Sequence, residues 1–126
     1  MTTRVLALLE GHSESEAPAS TAARLACSMN ADLLLGFDPS NEPFERLATR
    51  LTRCVDAATR IGAQTSTMLV HVDDPATILR IVRLHNIAVV VLQRPPVGEA
   101  ADVVVALREA GVAVRFTSST HEPAIA

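Results

Sequence analysis

The chain has 126 residues, 48% of them apolar and 2% aromatic, and carries a formal net charge of −3. That length supports one domain with a single core, and that apolar fraction excludes a disordered chain. The charge argues against a general nucleic-acid binder, which presents a strongly basic face. Trp and Tyr are absent and Phe occurs three times, so stacking platforms for bases are missing as well.

Arg4 to Leu9 predicts a first strand, closed by Glu10 after the apolar run Val5-Leu6-Ala7-Leu8-Leu9. That run is too short for a signal-peptide core, and no stretch approaches the ~18 apolar residues of a membrane span. A cytoplasmic protein without membrane insertion is expected. Gly11-His12-Ser13-Glu14-Ser15 reads as a polar loop in which Ser13 or Ser15 can cap the next helix, with Pro18 tolerated in its first turn. Ala22, Leu25, Ala26 and Met29 recur at helical spacing, and Asn30 is the expected stop. Ala31 to Phe37, around Leu33-Leu34-Leu35, predicts a second strand.

Asp38-Pro39-Ser40-Asn41 is turn chemistry. Phe44, Leu47, Ala48, Leu51, Val55 and Ala58 then fall at i, i+3, i+4, i+7, i+11 and i+14, predicting a helix closed by Gly62. Arg46, Arg50, Arg53 and Arg60 share one face of that helix, read as solvated although it could meet an acidic partner. Gln64 to Val72 alternates as an edge strand with one wetter face does. Asp73-Asp74-Pro75 predicts an N-cap and a first-turn proline for a helix lined by Ile78, Ile81, Val82 and His85. Ile87 to Leu92 is six apolar residues rich in Val, a strand covered on both faces. Glu99 to Ala110 predicts a last helix with Gly111 after it, and Val112 to Phe116 a fifth strand. Thr117 to Ala126 lacks periodicity and reads as a flexible tail behind a single domain over 1–116. Strands alternating with helices through short connections demand right-handed crossovers and a parallel sheet, an open, Rossmann-like α/β architecture with helices on both faces.

A first strand ending in acid-Gly-x-Ser, a Leu-rich second strand, and Asp-Pro-Ala opening the helix before a buried Val run together resemble the universal stress protein family, of adenine nucleotide alpha hydrolase-like fold. The resemblance spans roughly residues 4 to 116. It implies five parallel strands in the order 3-2-1-4-5, a homodimer through the last strand (Val112, Val114 and Phe116), and in some members ATP between strands 1 and 4. ATP-holding members carry an aspartate after strand 1, where this chain has Glu10, and a G-x-x-G loop after strand 4. Here Gln93-Arg94-Pro95-Pro96-Val97-Gly98 stands in its place. Glycines let backbone N–H groups approach phosphate, whereas proline offers no N–H and fixes its own φ. ATP as a cofactor is therefore disfavoured, and none is expected. Arg83-Leu84-His85-Asn86, Ser13-Glu14-Ser15 and Phe37 are also similar to the stress-protein-like domain of potassium-sensing histidine kinases, which implies a cyclic dinucleotide ligand. Asp38-Pro39-Ser40-Asn41 departs from the Thr and Tyr that this branch carries after strand 2.

The candidate ligand residues are Glu10, Gly11, His12, Ser13 and Ser15 after the first strand, Phe37 after the second, and Gln93, Arg94 and Gly98 after the fourth. The first group sits at a helix N-terminus, where unpaired N–H groups favour an anion, yet it also reads as an ordinary capped helix start. Arg94 suits a phosphate or a partner carboxylate, or simply solvent. No catalytic residues are expected. There is no G-x-S-x-G elbow, no lysine for a Walker loop, and His12 beside Ser13 is too close in sequence to make a base and nucleophile. His12, His71, His85 and His121 are scattered, so no metal is expected. Cys27 and Cys54 form no C-x-x-C pair and read as reduced, core-facing thiols. The leading expectation is a non-enzymatic regulatory or stress-response homodimer with a degenerate nucleotide site and a protein partner such as a transporter or sensor kinase. The alternative is a sensor of an adenine nucleotide or cyclic dinucleotide, and a small enzyme of the wider nucleotide-binding class ranks last.

Overall fold

Strand and helix alternate along the chain: β1 (Arg4–Leu9), α1 (Ala17–Ser28), β2 (Asp32–Phe37), α2 (Phe44–Ile61), β3 (Thr65–Leu69), α3 (Pro75–Leu84), β4 (Ile87–Leu92), α4 (Ala101–Glu109) and β5 (Ala113–Phe116). The structure, a computed structural model, describes residues 2–9, 16–39, 43–71, 74–93 and 101–117. All five strands run parallel in one sheet of order β3-β2-β1-β4-β5, the expected one.

β1 has no polar alternation because both its faces are buried. Val5, Ala7 and Leu9 join Leu33, Leu35, Phe37, Val89 and Val91 in a core closed by Ala19, Ala22, Ala23 and Ala26 of α1 and by Leu47, Cys54 and Ala58 of α2. Leu6 and Leu8 join Leu34, Val90 and Leu92 in the opposite core, under Ile78, Ile81 and Val82 of α3 and Val103, Val104 and Leu107 of α4. From Val5 to Leu9 every position is therefore apolar.

Each helix hands over to its strand through one left-handed residue: Asn30 (φ 56°), Gly62 (φ 110°), Asn86 (φ 54°) and Gly111 (φ 84°). At the first, the Ala31 N–H donates to the Ala26 carbonyl at 2.8 Å and the Asn30 N–H to that of Cys27 at 3.1 Å. That pair of bonds is a Schellman motif, which satisfies the last carbonyls of the helix. Asn86 also ties strand starts together: its Nδ2 donates to the Thr2 carbonyl at 3.1 Å, and its own carbonyl accepts from the Arg4 N–H at 3.1 Å.

Several expectations need correction. The N-cap of α1 is Glu16, which makes no side-chain capping bond; Ser13 and Ser15 lie outside the described residues. The ladder of β3 ends at Leu69, short of Val72, although the Val70 N–H still donates to Phe37. β5 starts at Ala113; Val112 precedes it with its side chain in the core. Cys54 is buried as expected, but Cys27 is exposed, since α1 turns its alanines inward. The buried line of α2 is Leu47, Arg50, Cys54, Ala57 and Ala58, rotated roughly a quarter turn from the apolar stripe at 100° per residue. Phe44 is left 80% exposed, and Arg50, expected in solvent, is buried. Small residues line the buried face of α1, and the guanidinium carbon of Arg50 lies over the Phe37 ring.

Candidate functional site

In a doubly wound sheet, ligands bind beyond the carboxyl ends of strands, where the chain turns opposite ways from two neighbours. The order β3-β2-β1-β4-β5 puts that point between β1 and β4. Leu8 pairs there with Leu92 on one side and Gly36 on the other. The segments leaving these strands are 10–15 and 93–100, so Glu10, Gly11, His12, Ser13, Ser15, Arg94 and Gly98 belong to that edge by sequence while lying outside the described residues.

Gln93 follows β4 directly. Its backbone carbonyl accepts a bond from the Thr117 hydroxyl at 3.3 Å, and the Thr117 N–H donates to the Leu92 carbonyl at 3.0 Å. The ends of β4 and β5 are thereby held together. The side-chain Oε1 of Gln93 is buried and has no hydrogen-bond partner among the described residues. A buried acceptor left unpaired costs about 1–3 kcal/mol, which a donor arriving on a ligand offsets.

Phe37, the last residue of β2, is fully buried. Its ring packs in the core beneath Arg50, whose guanidinium carbon lies 5.4 Å from the ring centroid, inside cation–π range. The ring therefore serves the interior of the β1–β2 face, and what β2 offers the carboxyl edge is the residue after it. Asp38 is that residue, its side chain 15% exposed, and its Oδ1 lies 3.7 Å from Nδ1 of His71 beyond β3. Asp74 caps α3 nearby in sequence, its carboxylate accepting from the Thr77 hydroxyl at 2.6 Å. That bond, and then the Thr77 N–H, hold its carboxyl below the ordinary carboxylate value, with His71 adding a smaller favourable charge. In the sequence Asp38 looks like a turn residue and His71 like an isolated histidine. The signal that pairs them is positional, since each lies just beyond the end of one of two adjacent parallel strands.

Burial, above all, raises the Cys54 thiol, opposed by Arg50 and Arg53 and assisted by Glu16. A thiol held protonated is a poor nucleophile. Among the described residues no group of three or more His, Cys, Asp or Glu is placed to hold a metal ion, and no helix is long and apolar enough to cross a membrane. At the far edge, Val114 and Phe116 of β5 are half-buried against the α3–α4 core, Ala113 and Arg115 point outward, and β5 pairs only with β4 among the described residues.

No protein-family model and no curated protein matches the chain. Solved structures do. A universal stress protein from Archaeoglobus fulgidus is 17% identical with a TM-score of 0.63, over 92% of this chain and 98% of that one. A universal stress protein in complex with cAMP is 16% identical with a TM-score of 0.67, over 94% and 98%. The Archaeoglobus fulgidus protein in complex with dAMP is 16% identical with a TM-score of 0.66, over 92% and 97%. The sequence resemblance thus holds at the level of architecture: this chain has the fold of the universal stress proteins.

Proposed function

We propose that this chain is a non-catalytic regulatory protein of universal stress protein type, acting as a cytoplasmic homodimer, whose nucleotide cradle no longer accepts a triphosphate. The observation that carries this reading is Pro95-Pro96 in the segment that leaves β4 at the switch point. A triphosphate is held there by successive backbone N–H groups, and two of those donors do not exist in this chain. By sequence, Glu10 adds a negative charge directly after β1. The absence of a recognisable nucleophile–base pair in the sequence supports a role by association, with a transporter or sensor kinase as the class of partner. The position of β5 at the end of the sheet, paired only with β4 among the described residues, supports the dimer, because pairing with a second copy would remove an open edge.

A second reading is a sensor of an adenine nucleotide or cyclic dinucleotide. The buried Oε1 of Gln93, without a partner among the described residues, favours it, since an exocyclic amino group of a base would supply a donor. Two structures of this fold hold cAMP and dAMP, ligands with a single phosphate that need fewer backbone donors than ATP.

Thermal-shift measurements with ATP, AMP, cAMP and cyclic dinucleotides separate the two. A ligand at 100 times its Kd adds about 2.7 kcal/mol. The first reading expects no response to any of them and no ATP hydrolysis; stabilisation by ATP overturns it. The second expects a response to a ligand other than ATP that Gln93→Leu removes.

A further inference from the structure

The fold uses one apolar flank of α2 only in part. Leu51 and Val55 are half-buried against the core, whereas Ala48 is exposed and Phe44 is 80% exposed. Ala48, Leu51 and Val55 each come one residue, about 100° of turn, after the buried Leu47, Arg50 and Cys54. A right-handed crossover sets α2 beside α1, with β3 on its outer side. In a right-handed helix packed that way, the flank that follows the buried line faces away from α1, over the outer side of β3.

β3 ends the sheet and pairs only with β2 among the described residues. The Val70 N–H donates inward to the Phe37 carbonyl, and the Gln64 carbonyl accepts inward from Leu33. By alternation, the backbone groups of Thr65, Thr67 and Leu69 face outward. Native proteins blunt such an edge with charge or proline, and without them it is a template for another strand. Thr65-Ser66-Thr67-Met68-Leu69 carries neither, and Leu69 is 57% exposed. Two hydroxyls on this side are already satisfied: Thr65 donates to the Ala63 carbonyl and Thr52 to the Ala48 carbonyl, each at 3.0 Å. Covering the surface therefore strands neither donor.

The height of the two parts selects the occupant. A strand added to β3 lies in the sheet and covers Leu69, but Phe44 and Ala48 stand in the helix layer, where another helix is needed to cover them. A second copy related by a two-fold axis supplies both. Its β3 runs antiparallel to the first. Since α2 spans the step from β2 to β3, the two α2 axes come to lie two strand spacings apart, about 10 Å, at the distance of packed helices. Like meets like across a two-fold axis. Phe44, Ala48, Leu51, Val55 and all of β3 are uncharged, so no like charges are opposed among them.

We propose that the outer flank of α2 and the free edge of β3 form one surface for a second copy of this chain, the β3 strands pairing antiparallel and the α2 helices packing above the junction. This surface lies at the opposite end of the sheet from β5 and does not rest on pairing there. With both edges joined, copies would form an open row.

The test is sedimentation equilibrium of the full chain over a range of concentrations, with hydrogen exchange of backbone amides at both ends of that range. The expected result is reversible association in which the Thr65, Thr67 and Leu69 amides become protected. Thr67→Pro removes an outward N–H and leaves the bonds to β2 in place, and Phe44→Glu charges the flank at an exposed position. Each should weaken association at least tenfold. Far-UV circular dichroism checks the fold, and Phe44→Glu carries the test alone should the proline variant not fold. A chain that stays monomeric, association that leaves those three amides unprotected, or unchanged association in a folded variant would each overturn the inference. The Thr117 N–H donates inward to Leu92, so by the same alternation the Val114 and Phe116 amides report on β5, and failure at one edge is distinguishable from failure at the other.

Discussion

Gly36→Ala tests how tightly the α3–α4 side of the sheet is filled. Gly36 lies in β2 between Leu8 of β1 and Met68 of β3. A Cβ at this position would stand 2.9 Å from Val70 Cγ1, 3.1 Å from Leu8 Cδ2 and 3.5 Å from Leu6 Cδ1. Carbon atoms in good contact sit about 3.5–4.0 Å apart, so either Val70 or Leu8 must yield. Both are enclosed, at 4% and 1% exposure, and the Val70 backbone is pinned by its N–H bond to the Phe37 carbonyl at 2.9 Å. Overpacking costs about 1–3 kcal/mol, while replacing a strand glycine by alanine returns about 0.5–1 kcal/mol of backbone entropy. The balance is a loss of up to about 2.5 kcal/mol, at about 3–5 °C of Tm for each kcal/mol in a domain of this size. Urea unfolding of wild type, Gly36→Ala, Val70→Ala and the double variant closes a cycle. With the Val70 methyl groups removed, Gly36→Ala should become neutral or stabilising, a coupling of about 1 kcal/mol or more. Additivity within about 0.5 kcal/mol refutes the steric explanation.

Ile78 of α3 is fully buried against the sheet, so Ile78→Ala should cost about 2–5 kcal/mol in urea unfolding; a loss below about 1 kcal/mol, closer to a surface value, contradicts that packing. Of the two cysteines, exposed Cys27 should react with a disulfide reagent in the native protein, whereas Cys54, buried and with its thiol raised, should react only as the chain unfolds. Equal native rates would contradict that assignment. Asp74→Ala should lower Tm at neutral pH by removing the cap of α3. The Asp74 carboxyl is depressed below its ordinary 3.8, so its contribution is present above that value and lost as pH falls through the lower folded one. The Tm gap between variant and wild type should therefore shrink in acid, and a gap undiminished at the acid end of the titration speaks against the capping role.

The sheet is legible in the sequence because topology enforces its signals. A central parallel strand buries both faces, so Ile87 to Leu92 and Val5 to Leu9 have no polar alternation to confuse with a helix period. The helix ends are legible for a separate reason: Asn30, Gly62 and Gly111 are residue types that enter positive φ at low cost, and all three do so. Asn86 belongs to the same set, in a run that carries no glycine to mark the stop. The limits of β3 are not legible. Its alternation continues past Leu69, whereas its ladder can extend only as far as β2 pairs with it, and β2 ends at Phe37.

The edge that carries the candidate site follows from strand order alone, which is why Gln93 and the residues after β1 stand out in the bare sequence. Arg50 does not, because periodicity sorts residues by charge, and charge is the wrong variable for this side chain. Arginine has an apolar stem and a flat, weakly hydrated cation that stacks on aromatic rings. Opposite a helix lined with Ala19, Ala22, Ala23 and Ala26, such a residue fills volume that an apolar stripe would have filled elsewhere.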